Sequence, residues 1–469
     1  MMARQHTLVI GAGTTGASVL RHLHGRVPLT LIDTRGEQAI APALRQACPE
    51  VRYWPAADEQ ALRASIDSLL PELARAVVSP GLADDHWLLA ALKAASVPVV
   101  TDIDLFFDAL AGADARPAVP VISITGSNGK STVATLTAGL LQAAGVNARA
   151  GGNLGPAALD LLADDVECYV LELSSFQLAR SRCAPHSVAT VLNVQADHLD
   201  YHGSLAAYAA AKQRIYTCAE KCVSPVDDAL AAPEAAEVFW GITLAAPGPG
   251  QAGVCGDGRH RSFCVWPETA PAPRPLAPVS ALRLAGAHNQ RNALTALALV
   301  LAVVPDAAPA ALAAGLSAYR GLPHRCEIVR ELGGVRYIND SKATNVGATV
   351  AAVHGLAADP RDGGDASLVV LLGGDGKGAD FTPLAQALAV GVRAAVVFGA
   401  AAAELQQALR DALTVFRCDT LDAALTQARS QARPGDTVLL SPACASFDQF
   451  RNFEDRGDAF RHQVEALAA

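Results

Sequence analysis

The chain has 469 residues, of which 51% are hydrophobic, 5% aromatic and 18% charged. Apolar surface is plentiful, which excludes a disordered chain and a single small scaffold, and at about 150 residues per domain the length predicts about three domains. Lys and Arg total 37 against 46 Asp and Glu, and the net charge of −9 argues against a general attraction to nucleic acid while leaving room for local basic sites.

The opening stretch MMARQHTLVIGAGTTG enters an apolar run without a signal-peptide pattern. The longest apolar candidate, Ala293 to Val304, falls short of the ~18 residues that a spanning helix needs and reads as a buried helix. A cytoplasmic protein without stable membrane insertion is expected. Ten cysteines with no C-x-x-C pair and no zinc spacing predict reduced, mostly buried thiols, with Cys218 and Cys222 packed together on a helix.

Strand and helix patterns alternate almost throughout, which predicts an α/β fold with parallel sheets. The first apolar strand, Thr7 to Ile10, runs into Gly11-Ala12-Gly13-Thr14-Thr15-Gly16, and a second, Leu29 to Ile32, ends at Asp33. Short strands follow at Ala76 to Val78, before Ser79-Pro80-Gly81, and at Val97 to Val100. Gly112 to Pro120 is small, polar and proline-bearing, as a linker would be. A second unit begins at Val121 and continues through strands at Tyr169 to Leu173 and Ala189 to Val194. Between Pro247 and Pro278, Pro and Gly cluster around strand-like pieces such as Ser262 to Trp266, and a peripheral, loop-rich region is expected. Tyr319-Arg320-Gly321-Leu322-Pro323 reads as a hinge into a third unit with strands at Val335 to Ile338, Leu368 to Leu372, Ala395 to Phe398 and Thr437 to Leu440. No repeat of fixed period is visible.

The most informative stretch is the strand Val121 to Thr125 followed by Gly126-Ser127-Asn128-Gly129-Lys130-Ser131-Thr132. Small residues let backbone N–H groups curl around phosphate oxygens, and the helix N-terminus adds positive potential. Lys130 can then reach the outer phosphates, and Ser131 or Thr132 can bind Mg2+, so ATP is the expected ligand. The loop is shorter than the standard G-x-x-x-x-G-K-[ST], which would place glycine at Ile124. A plain turn with a helix cap explains Gly126 and Ser127 but not Gly-Lys-Ser-Thr at a strand-to-helix junction. The earlier motif, Gly11-x-Gly13-x-x-Gly16 with Asp33 22 positions after Gly11, has the spacing of a dinucleotide fingerprint. It fits a nicotinamide enzyme, another nucleotide diphosphate, or a tight βα turn packed on its strand.

Further motifs narrow the choice. ITGSNGKST (124–132), GGNLG (151–155), LELSSFQL (171–178), LNVQADHLD (192–200) and AAKQRIY (210–216) occupy the second segment. GAHNQRNAL (286–294), GLPHRCE (321–327), NDSKATN (339–345), LLGGDGKGADF (371–381) and LLSPACASFDQFRNFEDRG (439–457) continue to the C-terminal region, and GAGTTG, DTR (33–35) and SPG (79–81) mark the first segment. Together they resemble the Mur ligases, ATP-dependent amide-bond-forming enzymes of peptidoglycan synthesis. The resemblance implies three domains: a Rossmann-like UDP-sugar-binding domain over 1–113, a central P-loop ATPase-like domain with a mostly parallel sheet over 114–321, and a Rossmann-like domain for glutamate and nucleotide over 322–469. It implies addition of D-glutamate to UDP-N-acetylmuramoyl-L-alanine through an acyl phosphate and a tetrahedral intermediate, by a monomer using ATP and two Mg2+.

Site residues follow by the same resemblance. Thr14, Thr15, Asp33, Thr34, Arg35 and Gly81 would hold the UDP part, and Asn153, Ser174 and Gln177 would lie near the sugar and its phosphates. Gly126 to Thr132, Asn292, Arg325 and Asp340 would take ATP, while Lys342, Thr344, Lys377, Ser446 and Phe453 would surround the glutamate. Lys130, Glu172, His198 and Lys212 would be catalytic, with Ser131, Thr132 and Glu172 on one metal and His198 with a carbamylated Lys212 organising a second. Read alone, Lys212 is a solvated helix residue and His198 a surface histidine in an acidic loop. Two departures stand out: Phe447 follows Ser446 where leucine is frequent, and Pro225 stands where asparagine is usual before the acidic pair Asp227-Asp228. L-glutamate or another amino acid, a folylpolyglutamate synthase-like ligation and a nicotinamide-dependent oxidoreductase remain as alternatives. The front motif disfavours the second, and the third leaves Lys130, Glu172 and Lys377 without a use.

Overall fold

The computed structural model describes residues 5–35, 40–55, 59–112, 119–182, 185–234, 236–284, 286–357 and 368–468. Most of the linker read at Gly112 to Pro120 lies outside them. The chain groups into two compact units, Met1–Val194 with His198–Gly241 and Ala296–Ala307, and Gln195–Asp197 with Ile242–Thr295 and Ala308–Ala469.

The first sheet contains β1 (His6–Ile10), β2 (Leu29–Asp33), β3 (Arg52–Pro55), β4 (Leu73–Val78) and β5 (Val99–Val100), in the order β3-β2-β1-β4-β5. Every pairing is parallel. Parallel strands need crossover helices on the faces, so their side chains are covered on both sides and the sequence reads as continuous apolar runs. Leu8, Ile10 and Ile32 pack with Ile66, Leu73 and Leu88, whereas the alternate residues Val9, Leu31 and Val77 pack with Val19 and Leu20 in a core that continues to Phe106 and Tyr169.

The second sheet has nine strands, β6 (Val121–Thr125), β7 (Ala148–Gly152), β8 (Cys168–Glu172), β9 (His186–Val191), β10 (Ala219–Pro225), β11 (Val238–Ile242), β12 (Gln251–Cys255), β13 (Ser262–Trp266) and β14 (Arg274–Pro278). Their order is β14-β13-β12-β11-β10-β9-β6-β8-β7, with β7 to β10 parallel around β6 and β12 to β14 antiparallel. The expectation of a loop-rich stretch from Pro247 to Pro278 is thereby corrected. Its glycines and prolines punctuate hairpins: Gly256 has φ +82°, and a Cβ there would come within 2.5 Å of the His260 carbonyl oxygen. The pairing of Cys218 and Cys222 on a helix is also corrected. Cys218 lies in a turn and is disulfide-bonded, which departs from a fully reduced set, while Cys222 is a buried free thiol on β10, whose residues 219–223 pair with β9. The other described cysteines are free.

The third sheet contains β15 (Glu327–Leu332), β16 (Val335–Asn339), β17 (Leu368–Gly373), β18 (Val392–Phe398), β19 (Val415–Arg417) and β20 (Thr437–Leu440), ordered β15-β16-β20-β17-β18-β19. Only β15 is antiparallel. Val370 and Leu372 enter one core and Val369 and Leu371 the other, the period-two alternation of a sheet covered on both faces. The helix Ala287–Val303 is buried from Ala293 to Ala302, as its composition predicts, and among the described residues no helix is long and apolar enough to cross a membrane.

The turn after β1 needs its glycines. A Cβ on Gly16 would fall 1.8 Å from the Gly11 carbonyl oxygen, and Gly11 itself has φ +102°. Gly16→Ala is expected to destabilise the protein by about 1–3 kcal/mol through forced backbone displacement. Thermal unfolding would read this as a lowered midpoint, and an unchanged midpoint would contradict the close approach.

Candidate functional site

The carboxyl edge of the first sheet collects the residues read as a diphosphate site. Thr14 and Thr15 open the helix Thr14–Leu23, whose N-cap Gly13 supplies no side-chain hydrogen bond, so the first-turn N–H groups keep the character of an anion cradle. Asp33 ends β2 and is almost fully buried. Its carboxylate accepts from Ala12 N at 2.7 Å, from Arg35 N and Nε at 2.9 Å and from Arg35 Nη2 at 2.8 Å. Burial alone would raise this carboxyl, but the Arg35 and Ala12 hydrogen bonds outweigh it and hold Asp33 below its ordinary range. Asp33 thus ties the glycine turn to Thr34 and Arg35. Ser79 N donates to Ile10 O at 2.9 Å, which brings the loop containing Gly81 to the same edge.

At the corresponding edge of the second sheet, β6 runs into Gly126–Gly129 and then the helix Lys130–Ala143. Gly126 has φ +154° and would press a Cβ to 3.0 Å from Leu192 Cβ, while Gly129 caps the helix in the left-handed region. Asn193 braces the loop: its Oδ1 accepts from Asn128 N at 2.9 Å, its Nδ2 donates to Asn128 O at 3.1 Å, and its carbonyl accepts from Ser127 N at 2.9 Å. Lys130 Nζ donates to Gly126 O at 2.9 Å and Ser127 O at 3.0 Å, holding its ammonium against the loop.

Glu172, 2% exposed, stands opposite Ile124 in the β6–β8 register. Ser131 Oγ donates to its Oε2 at 2.5 Å and Asn153 Nδ2 to its Oε1 at 2.6 Å. A buried carboxylate beside a hydroxyl at a phosphate loop is a hard, all-oxygen donor set, and it fits Mg2+, which takes few protein ligands and keeps the rest for phosphate and water. Ser174 and Gln177 have a local use as well. They form a capping box at the start of the helix Ser175–Arg180, with Gln177 N donating to Ser174 Oγ at 3.2 Å and Ser174 N to Gln177 Oε1 at 3.0 Å.

Lys212 lies on the helix Leu205–Gln213 and is 1% exposed, which overturns its reading as a solvated residue. Its Nζ donates to Gly126 O at 2.8 Å and stands 4.4 Å from the centroid of Tyr208. Tyr208, which sequence reading passed over, accordingly joins several candidates. Its hydroxyl meets Ser127 Oγ at 3.1 Å, and its ring lies 6.4 Å from that of His198. His198 has φ +53° and packs edge-on against Phe176 at 4.9 Å, so it belongs to an aromatic cluster rather than to an isolated acidic loop. As an ammonium Lys212 offers no acceptor to a cation. It fits a metal-organising role only as the carbamate.

In the third sheet, Asp340, Lys342 and Thr344 follow β16, Lys377 follows β17, and Ser446 lies beyond β20. These strands are neighbours in the order β16-β20-β17, so the sheet gathers their loops at one edge. Lys342 Nζ stands 3.7 Å over the ring of Phe453, and Lys377 Nζ stands 5.4 Å over that of Phe447, giving the unusual aromatic a partner. Asp340 Oδ1 accepts from Cys326 N at 3.1 Å, and Lys342 N donates to His324 O at 3.0 Å, so the turn carrying Arg325 is pinned to both. Asn292 sits on the helix Ala287–Val303, its amide donating to Asn289 Oδ1 at 3.4 Å. Pro225 closes β10, and Asp228 accepts from Val194 N at 3.0 Å.

Arg456 was also missed from sequence. It is fully buried, and its guanidinium donates to Ser341 Oγ and O at 2.9 Å, to Cys444 O at 3.1 Å and to Gly373 O and Ala445 O at 3.2 Å. Those groups belong to the loops that carry Lys342, Lys377 and Ser446. Burial lowers its pKa to about 10. The available signal was an arginine inside an otherwise acidic first helical turn, which is weak because such arginines are usually solvated.

Comparison with known proteins gives three family matches: Mur ligase MurD-like, N-terminal domain, over residues 5–101; Mur ligase middle domain, over 124–240; and Mur ligase, glutamate ligase domain, over 324–444. The UDP-N-acetylmuramoylalanine--D-glutamate ligase of Pseudomonas aeruginosa is 43% identical, with all of both chains covered. That of Marinobacter nauticus is 41% identical over 100% of this chain and 99% of its own. The crystal structure of UDP-N-acetylmuramate-alanine ligase MurC from Thermotoga maritima matches with a TM-score of 0.60 at 16% identity, over 98% of this chain and 99% of that one, a likeness of fold.

Burial pushes the Asp340 carboxyl up to about 6, in spite of the hydrogen bond from Ser441 Oγ at 2.8 Å. Between the unperturbed value of 3.8 and about 6, the folded protein binds a proton that the unfolded chain lacks, so this group makes stability fall as pH rises through that window. Asp340→Asn is expected to flatten that part of the stability–pH curve. Denaturant titrations of both proteins at several pH values would check it, with equal slopes contradicting the assignment.

Proposed function

The chain belongs to the Mur ligase family and is an ATP-dependent ligase that joins D-glutamate to UDP-N-acetylmuramoyl-L-alanine in peptidoglycan synthesis, and we propose that the residues described above carry this reaction as follows. The observation that carries the assignment of roles is Glu172, buried between Ser131 and Asn153 beside the phosphate loop. A carboxylate is a poor electrophile towards an amine. Its oxygen therefore takes the γ-phosphoryl group of ATP, releasing ADP and forming an acyl phosphate. The amine of D-glutamate attacks that carbonyl, and the tetrahedral intermediate collapses with loss of phosphate and a proton to leave the amide.

Such chemistry rests on positioning and on neutralising charge. The loop Gly126–Gly129 and the start of the helix Lys130–Ala143 receive phosphate oxygens, with Ser127 N and Asn128 N kept on Asn193 to hold the loop in shape, and Lys130 follows charge onto the transferring group. Asn292, Arg325 and Asp340 hold the nucleotide, Arg325 by a planar, permanently charged fork. Thr14, Thr15, Asp33, Thr34, Arg35 and Gly81 hold the UDP part, and Asn153, Ser174 and Gln177 its sugar end. Lys342 and Lys377 each meet a carboxylate of D-glutamate, with Thr344 and Ser446 as hydroxyl partners and Phe453 keeping Lys342 in place. Mg2+, when bound, neutralises phosphate oxygens; Ser131, Thr132 and Glu172 would hold one ion, and His198 with carbamylated Lys212 would organise a second. The division 1–113, 114–321 and 322–469 follows these roles. One chain carries every motif, which supports a monomer, and dependence on ATP together with mostly free thiols supports the cytoplasm.

Phosphate release is expected only when ATP, Mg2+, UDP-N-acetylmuramoyl-L-alanine and D-glutamate are all present, with L-glutamate much poorer. Equal rates with the two enantiomers, or hydride transfer without ATP, would sink this reading. Lys130→Ala should lower kcat by at least about 100-fold in that assay. Lys212→Ala should be inactive and recover when short carboxylic acids are added; a variant that stays dead in their presence counts against the carbamate.

A further inference from the structure

Arg180 ends the helix Ser175–Arg180, whose other end is capped by Ser174 and Gln177. Its side chain is 9% exposed and turns toward the loop after β4. Nε and Nη2 donate to Asp84 Oδ1 at 2.9 and 2.7 Å, Nη1 donates to Ser79 O at 3.3 Å, and Nη2 also donates to Leu82 O. The carbonyls of Ser79 and Leu82 bracket Pro80 and Gly81. Ser79 in turn packs on the glycine turn after β1, where a Cβ on Gly11 would meet Ser79 Oγ at 2.5 Å. A single guanidinium therefore links the Gly81 loop, and through it the Gly11–Gly16 turn, to the helix that starts at Ser174.

The chemistry suits arginine alone. A planar fork can reach two carbonyls and a carboxylate in fixed directions, whereas an ammonium is a point charge on a flexible stem. Asp84 is 66% exposed, and an ion pair with so solvated a carboxylate holds little by itself. The main-chain acceptors are what make the contact a clamp. No motif that singled out Ser174, Gln177 or Gly81 includes Arg180.

We propose that Arg180 is a positioning residue for the UDP-sugar substrate, setting the distance between the Gly81 loop and the Ser174–Gln177 cap so that one ligand meets both. The proposal rests on the UDP-binding role given above. It makes substrate affinity depend on a side chain that touches no substrate atom.

The test uses the full chain as wild type, Arg180→Met, Arg180→Lys and Asp84→Asn, with thermal midpoints recorded for each. Calorimetry with UDP-N-acetylmuramoyl-L-alanine should show Arg180→Met weakened by about tenfold or more, the scale of lost hydrogen bonds to a charged group. The KM for that substrate should rise in step, while kcat and the KM values for ATP and D-glutamate stay close to wild type. Arg180→Lys should recover part of the loss. Asp84→Asn should change affinity by no more than about threefold, because the carbonyl contacts persist. Amide exchange over residues 79–84 should quicken in Arg180→Met. A folded Arg180→Met with wild-type affinity, unchanged exchange, or a parallel rise of all the KM values would overturn the clamp. Wild-type protein that binds no UDP-sugar would instead overturn the functional reading, and the exchange measurement would still judge the clamp.

Discussion

The hydrogen bond from Ser131 to Glu172 is the constraint around which the central sheet is arranged. Parallel neighbours deliver their carboxyl ends to the same edge, so once Ile124 lies opposite Glu172 the phosphate loop and the carboxylate arrive side by side. A carboxylate this deeply buried is tolerated only when its oxygens are satisfied, and Ser131 and Asn153 do this from the segments that follow β6 and β7, the strands on either side of β8. Gly152 belongs to the same arrangement. A Cβ there would lie 2.4 Å from the Glu172 carbonyl oxygen, so β7 could not come close enough with any other residue.

Buried cations form the complementary half of the design. The chain carries a net charge of −9, yet Arg180 and Arg456 each lie inside the protein with main-chain carbonyls among their acceptors. Carbonyl oxygens are partial charges, so they satisfy the donors without cancelling the positive charge as a carboxylate would. The effect is mechanical at both, since loops of separate strands are held together, and at Arg456, whose acceptors are carbonyls and a hydroxyl, it is electrostatic as well, with positive potential kept near a site whose ligands are anionic. Arg456 does this for the loops bearing Lys342, Lys377 and Ser446, where Phe453 and Phe447 lie beneath the lysine ammonium groups.

Much of this was legible in the residues themselves. The strands at Val121, Val335, Leu368 and Thr437 fell where apolar runs predicted them, because a strand covered on both faces needs no partner-specific information to be recognised. Gly126–Thr132 was legible for the same local reason: a strand, a glycine turn and a capped helix announce themselves within a dozen residues. In the Pro247–Pro278 stretch the strand-like piece Ser262 to Trp266 was legible and is β13, but β12 and β14 were not, since Gly and Pro mark hairpin turns and open loops alike, and only antiparallel partners distinguish them. Lys212 and His198 were bland as isolated letters and gained meaning only by family resemblance.

By itself the sequence determined the α/β class, the phosphate loop and the set of charged residues available to an anion-handling enzyme, because those features depend on local periodicity and on side-chain chemistry. Tertiary structure alone decided which of those charges are buried and what they hold. Asp33 turned inward onto Ala12 and Arg35, Tyr208 came to stand between Ser127 and Lys212, and Arg180 met carbonyls about a hundred residues earlier in the chain. The contacts of Asp33 with Ala12, of Tyr208 with Ser127 and of Arg180 with the Ser79 carbonyl join residues far apart in the chain, so they depend on strand register and helix packing, which arise only when the sheet assembles as a whole.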